Sequence, residues 1–372
     1  MLWRLILLAL SVGGYTYLRA IAPLRWRVGA KLAAAAVLAV LALRLPLLVA
    51  GAAPALLSRG WGSIVYSWLY VALVIWFCGI FGACVGRDVA RRVSAAWRQR
   101  SAEAQQRVFN RLHGFMLAVA LALSAWGTWS GLQAPAVREL TLHCGLQQPL
   151  RLVLLADLHV SARRGPDVLR QIVARTNDLG ADIVCITGDF VDGSVAECAG
   201  CVAALRELRA PLGVYGVPGN HDYYSGYEEW CEHLTGLGVH MLPNAHVLLP
   251  GGAVLAGVTE ESAYRLPGME PPSIRKALHG APGGAPVILL SHRPDLAHEA
   301  ADNGVAVQLS GHTHGGLVWG AGWVVAAMNG GFVKGLYRER GTQLYVSPGT
   351  CTSSRTPLRL GVPAEITLIT LM

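Results

Sequence analysis

The feature that most constrains this fold is a pair of long stretches without charged residues in the first third of the chain. Gly60–Gly86 is 27 residues long and Gly114–Val137 is 24 residues long. About 20 apolar residues are enough to cross the hydrocarbon core of a bilayer as a helix. Tryptophan, a residue typical of membrane interfaces, occurs in both stretches. The sequence therefore predicts at least two transmembrane helices.

Two further apolar segments predict additional spans, which would make residues 1–138 a transmembrane region of four helices. Leu32–Leu57 is long enough, but Arg44 interrupts it and must either snorkel to the interface or face the helix bundle. Leu5–Leu18 has only 14 residues between two arginines, so it spans only if those arginines snorkel. A cleaved signal peptide is the alternative for this segment.

Charge is distributed unequally along the 372 residues. Residues 1–138 hold 15 Lys/Arg and 2 Asp/Glu, a net charge of +13, whereas the remainder holds 16 and 21, a net charge of −5. The basic character of the whole chain therefore comes from its apolar part. No nucleic-acid surface is indicated for the rest of the chain, because such a surface requires clustered basic residues.

Basic residues also predict the orientation of the spans. Seven arginines lie between Arg87 and Arg111, and four basic residues lie in Arg19–Lys31. Loops rich in Lys and Arg stay on the cytoplasmic side of a membrane. We therefore expect a multi-pass protein of the cell membrane whose residues after Val137 lie in the periplasm or outside the cell.

From Leu150 onward, short apolar runs alternate with amphipathic stretches, which predicts an α/β domain. Most of the predicted strands are rich in Val, Ile and Leu, as expected of strands buried on both faces. They are Leu150–Ala156, Ile183–Thr187, Gly213–Val217, Val254–Val258, Val287–Leu290, Val305–Leu309 and Gln343–Val346. Helices are predicted over Asp167–Leu179, Val195–Arg209, Tyr227–Leu237 and Asp295–Ala301. The glycine-rich, strand-rich part from Val305 indicates a second sheet.

Five short motifs in this region predict a dinuclear metal site. Each follows a predicted strand, and catalytic groups collect at the carboxyl ends of strands in α/β sheets. A single motif of this kind occurs by chance, but an ordered set of five does not. The motifs are Asp157-Leu158-His159, Gly188-Asp189, Gly219-Asn220-His221-Asp222, Ser291-His292 and Gly311-His312-Thr313-His314.

The ordered set resembles the calcineurin-like metallophosphoesterase superfamily, whose pattern is D-x-H, G-D, G-N-H-[DE], H and G-H-x-H. The resemblance extends from Leu150 to the C-terminus and implies a metallophosphoesterase domain over residues 139–372, an α/β/β/α sandwich of two mixed sheets. Three longer strings are similar to a membrane-associated bacterial phosphodiesterase branch: Gly188–Asp192, His312–Gly316 and Ser347–Thr367. Leu317 and Arg293 depart from the residues expected there, which puts substrate preference in doubt.

The resemblance also implies which residues bind metal. One ion would be held by Asp157, His159 and His314, the other by Asn220, His292 and His312, with Asp189 bridging both. Oxygen and imidazole ligands suit two divalent ions of Mn, Fe or Zn, and such a set does not choose among them. Two ions of this kind activate a hydroxide for attack on phosphorus.

His221 is the expected acid for the leaving group, because it neighbours a ligand without being needed as one. Two compatible roles are open for Asp222. It orients the ring of His221, or it shapes the turn before the helix near Tyr227 through a side-chain hydrogen bond.

These features favour a membrane-anchored, metal-dependent hydrolase of phosphodiesters. A pyrophosphatase acting on a lipid-linked or nucleotide-activated glycolipid is the alternative, and a non-catalytic metal-binding module is a third reading. A transporter regulated by its soluble domain is disfavoured, because Arg44 is the only charge within the predicted spans. The expected partners are a phosphoester substrate and the lipid bilayer.

Two smaller features remain open at this stage. Cys198 and Cys201 form either a helix-face pair or a local disulfide. Trp319 and Trp323 line a substrate groove, dip toward the bilayer or pack in the core, and core packing is the more common fate of tryptophan.

Overall fold

The computed structural model describes residues 2–24, 26–49, 60–162, 165–320, 322–352 and 356–372. The chain divides into two compact units, Met1–Trp129 and Ser130–Met372. The boundary predicted after residue 138 lies within a strand, Ala136–Leu142.

The first unit is helical. Three of its helices are long and apolar enough to cross a membrane: Trp3–Ile21, Gly62–Val93 and Ala102–Gly131. A fourth, α2, is shorter, and the end of the predicted span Leu32–Leu57 lies outside the described residues. The helices are α1 (Leu2–Thr16, continued by a π-turn over Tyr17–Ile21), α2 (Val28–Ala42), α3 (Arg44–Val49), α4 (Gly60–Val93), α5 (Ala95–Arg98) and α6 (Ala102–Gly131).

Arg44 faces the interior of this helical unit, which is one of the two positions expected for it. Its side chain is fully buried. The guanidinium donates to the hydroxyl of Ser67 and lies 5.5 Å from the ring centroids of Tyr66 and Tyr70. A hydroxyl and two aromatic faces thus replace part of the hydration that a buried cation loses.

The second unit contains two six-stranded mixed sheets. The first has the strand order β1-β12-β2-β3-β4-β5 and the second β10-β11-β9-β8-β7-β6. The strands are β1 (Ala136–Leu142), β2 (Leu150–Leu155), β3 (Ile183–Thr187), β4 (Val214–Val217), β5 (Val239–Met241), β6 (Ala245–Leu248), β7 (Val254–Gly257), β8 (Val287–Leu290), β9 (Val307–Ser310), β10 (Gly335–Glu339), β11 (Thr342–Val346) and β12 (Glu365–Leu371).

Alternation along β2 shows how the sheets are layered. Leu152 and Leu154 pack in one cluster with residues of the second sheet, including Ile288. Val153 and Leu155 point the other way, into a separate cluster that contains helical residues. Successive side chains of a strand face opposite sides of the sheet, so each sheet has one face toward the other sheet and one toward helices. This arrangement confirms the expected α/β/β/α sandwich.

The helices of this unit are α7 (Asp167–Asp178), α8 (Val195–Val202), α9 (Asn220–Tyr224), α10 (Tyr227–Gly236), α11 (Ile274–Ala277), α12 (Ala297–Asp302) and α13 (Gly322–Ala327). The seven predicted strands and four predicted helices are all present, with ends that differ by a few residues. The largest difference is at α8, which continues as a 3₁₀ turn over Ala203–Glu207. All eight cysteines lie in the described residues, and none forms a disulfide.

Candidate active site

The five motifs meet where neighbouring strands of both sheets end. In the first sheet β2, β3 and β4 are adjacent and parallel, and in the second β8 and β9 are adjacent and parallel. The carboxyl ends of adjacent parallel strands share one edge of a sheet. The motifs that follow these five strands are those of Asp157, Asp189, Asn220, His292 and His312.

The backbone is strained at most of the predicted ligands. Positive φ angles occur at Asp157 (53°), His159 (44°), Asp189 (52°), His312 (69°) and His314 (49°). Residues with a Cβ adopt this region rarely, at a cost of about 1–3 kcal/mol each. These five are the majority of the eight non-glycine residues with positive φ in the described chain. The packed sheets therefore hold the site in a conformation that local preference opposes.

The first group of ligands consists of Asp157, His159 and His314, whose donor atoms all lie within 4.8 Å of one another. The two imidazole rings are stacked, and their Nε2 atoms are 3.0 Å apart. His159 Nδ1 is engaged by the carboxylate of Asp192 at 3.1 Å. Its Nε2 is therefore the nitrogen that is directed into the group.

The second group consists of Asp189, His292 and His312. His292 Nδ1 donates to the carbonyl of Thr187 at 2.8 Å, so Nε2 is the nitrogen of this ring that is available to a metal. That atom lies 3.1 Å from His312 Nδ1 and 3.1 Å from Asn220 Oδ1. A backbone carbonyl thus sets the tautomer of one ligand, and Asn220 adds an amide oxygen to the group.

Asp189 lies between the two groups. Its Oδ2 is 3.6 Å from His159 Nε2 and its Oδ1 is 3.5 Å from His292 Nε2. The same Oδ1 accepts a hydrogen bond of 2.8 Å from the amide of His221. One carboxylate therefore faces both histidine clusters.

The donor arrangement fits divalent cations. His314 Nδ1 is buried without a hydrogen-bond partner among the described residues. Burial, followed by the charge of His292, lowers the pKa of His312 to about 2, so this ring is the neutral imidazole that metals bind. Nitrogen pairs that face each other at 3.0 and 3.1 Å need a shared cation or proton to be stable.

His221 lies beside the first group, and its ring is partly exposed. Its Nδ1 donates to Asp192 Oδ1 at 2.5 Å, a role that the sequence had left open for Asp222. Although burial opposes ionisation, His159 and His221 hold the pKa of Asp192 well below its usual range. Asp192 is thus an ionised carboxylate shared by a predicted ligand and the predicted acid.

Asp222 bonds to backbone amides, as in the second of its two expected roles, but in turns other than the one before the helix near Tyr227. Its Oδ2 accepts the amide of Gly219 at 2.8 Å and its Oδ1 accepts the amide of Val191 at 3.2 Å. Both bonds are to backbone groups of the turns that carry Asn220 and Asp189. Burial, followed by the charge of Asp189, raises the pKa of Asp222 to about 7. Of the two roles left open for Asp222, orientation of His221 belongs in the structure to Asp192.

Arg359 is a buried cation that sequence patterns did not single out. Its guanidinium donates to the carbonyls of Pro348, Gly349 and Cys351, and at 3.3 Å to that of His314. These bonds tie the segment after β11 to the backbone of one ligand. The only sequence signal was its place in the similar string Ser347–Thr367.

Arg293, one of the two departures from the family pattern, forms an ion pair with Glu260 through Nε. Glu260 is almost fully buried and also accepts the amide of Ser262 at 2.7 Å. Although burial opposes ionisation, the positive charges of His292 and Arg293 lower the pKa of Glu260. This pair was not expected, because Glu260 belongs to none of the motifs.

Comparison with known proteins agrees with the site. A family model described as calcineurin-like phosphoesterase matches residues 150–316. A Danio rerio protein described as a transmembrane protein with metallophosphoesterase domain is 33% identical over 321 residues, which cover 82% of this chain and 71% of the relative. A metallophosphoesterase of Helicobacter pylori is 34% identical over 262 residues and 70% of each chain. A Bos taurus relative, described like the Danio rerio protein, is 35% identical over 274 residues, 68% of this chain and 61% of its own.

The chain belongs to the calcineurin-like metallophosphoesterase family. It is a metal-dependent hydrolase that acts on phosphoric ester bonds. The resemblance seen in the motifs is thereby confirmed, and the side-chain groups around Asp189 are candidate positions for the divalent metals that this family uses.

Proposed function

We propose that this enzyme is a membrane-anchored phosphodiesterase. The observation that carries the proposal is the pair of donor groups that share Asp189, with the His221 ring next to them and partly exposed. Phosphodiester hydrolysis needs stabilisation of the negative charge on the phosphoryl oxygens and a proton for the departing alkoxide. The donor groups supply a place for the cations that stabilise this charge, and His221 supplies the proton.

The proposed ligands follow the two groups. Asp157, His159 and His314 would hold one ion, Asn220, His292 and His312 would hold the other, and Asp189 would contribute to both. When bound, two divalent ions supply a nucleophile at neutral pH and neutralise the phosphoryl oxygens. The carbonyl of Thr187 and the carboxylate of Asp192 hold the rings of His292 and His159 through Nδ1, so Nε2 is the nitrogen of each ring that would bind an ion.

His221 delivers the proton in this proposal. Because its Nδ1 donates to Asp192, the second proton of the imidazolium is on Nε2. Transfer of that proton to the leaving-group oxygen leaves a neutral ring that is still held by Asp192. The carboxylate holds the ring through Nδ1 before and after the transfer.

The membrane part of the proposal rests on the helices Trp3–Ile21, Gly62–Val93 and Ala102–Gly131. The seven arginines lie in the last turns of α4, in α5, in the short connection after α5 and in the first half of α6. We propose that this basic segment lies in the cytoplasm and that the hydrolase unit lies on the opposite side of the membrane. The chain is then a multi-pass membrane protein whose transmembrane region ends with α6 at Gly131.

The test compares His221→Ala on two classes of substrate. General acid catalysis is worth about 10²–10⁴ in rate, but only when the leaving group needs a proton. We expect a loss of that size on an alkyl phosphodiester and a much smaller loss on a nitrophenyl diester. Both metals should remain in the variant, as measured by elemental analysis of the purified protein.

Two outcomes would contradict this role. Equal losses on both substrates mean that His221 positions the phosphate or the nucleophile. His221 also lies within reach of His159 and Asp189 as a third candidate metal group. Loss of one metal from the variant therefore means that His221 is a ligand, and the acid must then be another group.

A further inference from the structure

One segment beside the metal site has an unusual surface. We call residues 315–333 the apolar loop, because these 19 residues contain no charged side chain. The structure describes all of them except residue 321. Trp319 is 82% exposed, Trp323 75% and Met328 75%. Core packing is the more common fate of tryptophan, but these two tryptophans do not pack in the core.

The apolar loop begins and ends at the ligand segment. It follows His314 directly, and at its other end the hydroxyl of Thr313 donates to the carbonyl of Val333. Phe332 is buried against residues that include Leu344 of β11. The base of the loop is therefore anchored in the hydrolase core and tied to the residue between His312 and His314.

The start of the loop is fixed a second time. Val318 forms a parallel bridge with Leu360, whose amide donates to the carbonyl of Leu317 at 2.9 Å. The amide of Trp319 donates back to the carbonyl of Leu360 at 2.8 Å. Since the backbone is held on both sides, the indole of Trp319 is presented to the outside by an ordered framework.

We infer that the apolar loop docks on the lipid bilayer interface and thereby brings the metal site to the level of the phosphate groups of lipids. The inference rests on the proposed membrane anchoring. Exposed tryptophans next to basic residues are typical of surfaces that lie in this interface. Lys334 and Arg338 follow the loop and are exposed, as is Leu336 between them. Cations at this position pair with the anionic headgroups of lipids.

The location of the loop defines a class of substrate. An apolar face enters the boundary between headgroups and acyl chains by about 5–10 Å. His314, one residue from the start of the loop, then lies close to headgroup depth. A phosphodiester carried in the headgroup of a membrane lipid is the substrate that this geometry serves, whereas a soluble diester gains nothing from it.

The docking itself is tested with the full chain in vesicles of phosphatidylcholine and phosphatidylglycerol, with or without bromine on the acyl chains. Bromine quenches tryptophan on contact. The variant W319F/W323F keeps the apolar character but removes two indoles, so wild type minus variant reports these two positions. We expect this difference signal to be lost in brominated vesicles and kept in unbrominated ones. A difference signal that bromine does not change would overturn the inference. A difference signal that is lost only at a high protein-to-lipid ratio would also overturn it, because it would indicate contact with a second copy of the chain.

The consequence for activity is tested with W319S/W323S/M328S. On a diacyl phosphodiester presented in the vesicles, the half-saturating substrate density should rise about tenfold or more, because apolar area is lost from the docking surface. On soluble bis-nitrophenyl phosphate, kcat/KM should stay within about twofold of wild type. Leu248→Ser is the matched control, because Leu248 is an apolar residue that is 58% exposed on β6. In the second sheet β6 is the edge strand opposite β10, the strand that follows the apolar loop.

The outcomes separate this inference from the proposed function. If wild type hydrolyses neither diester, the phosphodiesterase assignment is wrong whatever the fluorescence shows. If the triple variant loses activity equally on the lipid diester and on the soluble diester, the loop supports the structure of the metal site and does not dock on lipid. If L248S has the same effect as the triple variant, exposed apolar area in general is responsible and the assignment to this loop is wrong.

Discussion

At the scale of single residues, the role of three histidines at this site depends on the hydrogen-bond partner of Nδ1. His292 donates its Nδ1 proton to a backbone carbonyl, and His159 is held through Nδ1 by Asp192. His221 uses the same carboxylate. Partners of this kind fix the tautomer and raise the basicity of the opposite nitrogen. Asp192 therefore links a proposed metal ligand to the proposed acid, although it would touch neither metal nor substrate.

Asp192→Asn should impair both functions. Replacing a carboxylate partner of this kind typically lowers metal affinity or activity by about 10–100-fold. Because the imidazolium of His221 loses its counter-charge, we also expect the rate to depend more steeply on the pKa of the leaving group. The measurement is kcat for a series of diesters with leaving groups of different pKa, together with a metal titration.

Asp222→Asn is the matched control for this prediction. Asp222 is bonded to the amides of Gly219 and Val191, and weakening those buried bonds should cost about 1–3 kcal/mol of the free energy of unfolding. The dependence of kcat on the leaving group should stay as in wild type. A steeper dependence in this variant than in Asp192→Asn would restore the role first expected for Asp222.

At the scale of elements, the turns at the strand ends position the ligands. In the turn between β4 and α9, residue 219 is a glycine because the turn that carries Asp189 approaches it closely. A Cβ on Gly219 would lie 2.3 Å from Asp189 Oδ1 and 2.3 Å from the Asp189 amide nitrogen. Real Cβ atoms do not approach other atoms so closely, so the two turns can meet only because Gly219 has no side chain.

Gly219→Ala should therefore displace Asp189 and remove metal pairing. We expect both ions to bind more weakly and activity on every substrate to fall, by at least the roughly 10–100-fold seen when the surroundings of metal ligands are disturbed. Metal content and kcat would be measured on the same preparation. Gly236→Ala in α10 is the control, since no atom lies within 4 Å of the added Cβ and alanine favours a helix. Retention of two ions in Gly219→Ala would contradict the bridging position of Asp189.

At the scale of the whole molecule, the chain joins a basic helical unit to an acidic hydrolase unit. The net charges of +13 before residue 139 and −5 after it match this division. The arginines that separate α4 from α6 favour a cytoplasmic position for that segment. With that segment in the cytoplasm, as proposed above, α6 would carry the chain to the side of the membrane on which the hydrolase unit lies.

Fusions of reporter proteins test this topology. A β-lactamase fused after Met372 should confer ampicillin resistance, because that enzyme protects cells only outside the cytoplasm. A fluorescent protein that folds only in the cytoplasm should stay dark at the same position. Fusions after Arg100, within the basic segment, should give the reverse pair of results. A fluorescent fusion at Met372 would overturn the predicted orientation.

Several properties of this protein follow from its sequence alone. The apolar stretches and the Val-, Ile- and Leu-rich runs predict their helices and strands, because burial of uncharged segments leaves few alternatives. The order of motifs at strand ends predicts which residues meet, since the ends of adjacent parallel strands share one edge. Edge strands such as β1 and β10 were missed, because exposed faces weaken the apolar pattern.

Other properties depend on the tertiary structure. Asp192, not Asp222, holds His221, because β3 and β4 are neighbours and bring together side chains that are 29 positions apart. Trp319 is exposed because its backbone is paired with Leu360, far along the chain. Hydrogen-bond partners and burial are set by which distant segments pack together, and local sequence carries no record of that choice. The sequence alone therefore determined the chemistry of the site, while the tertiary structure decided its proton partner and the surface beside it.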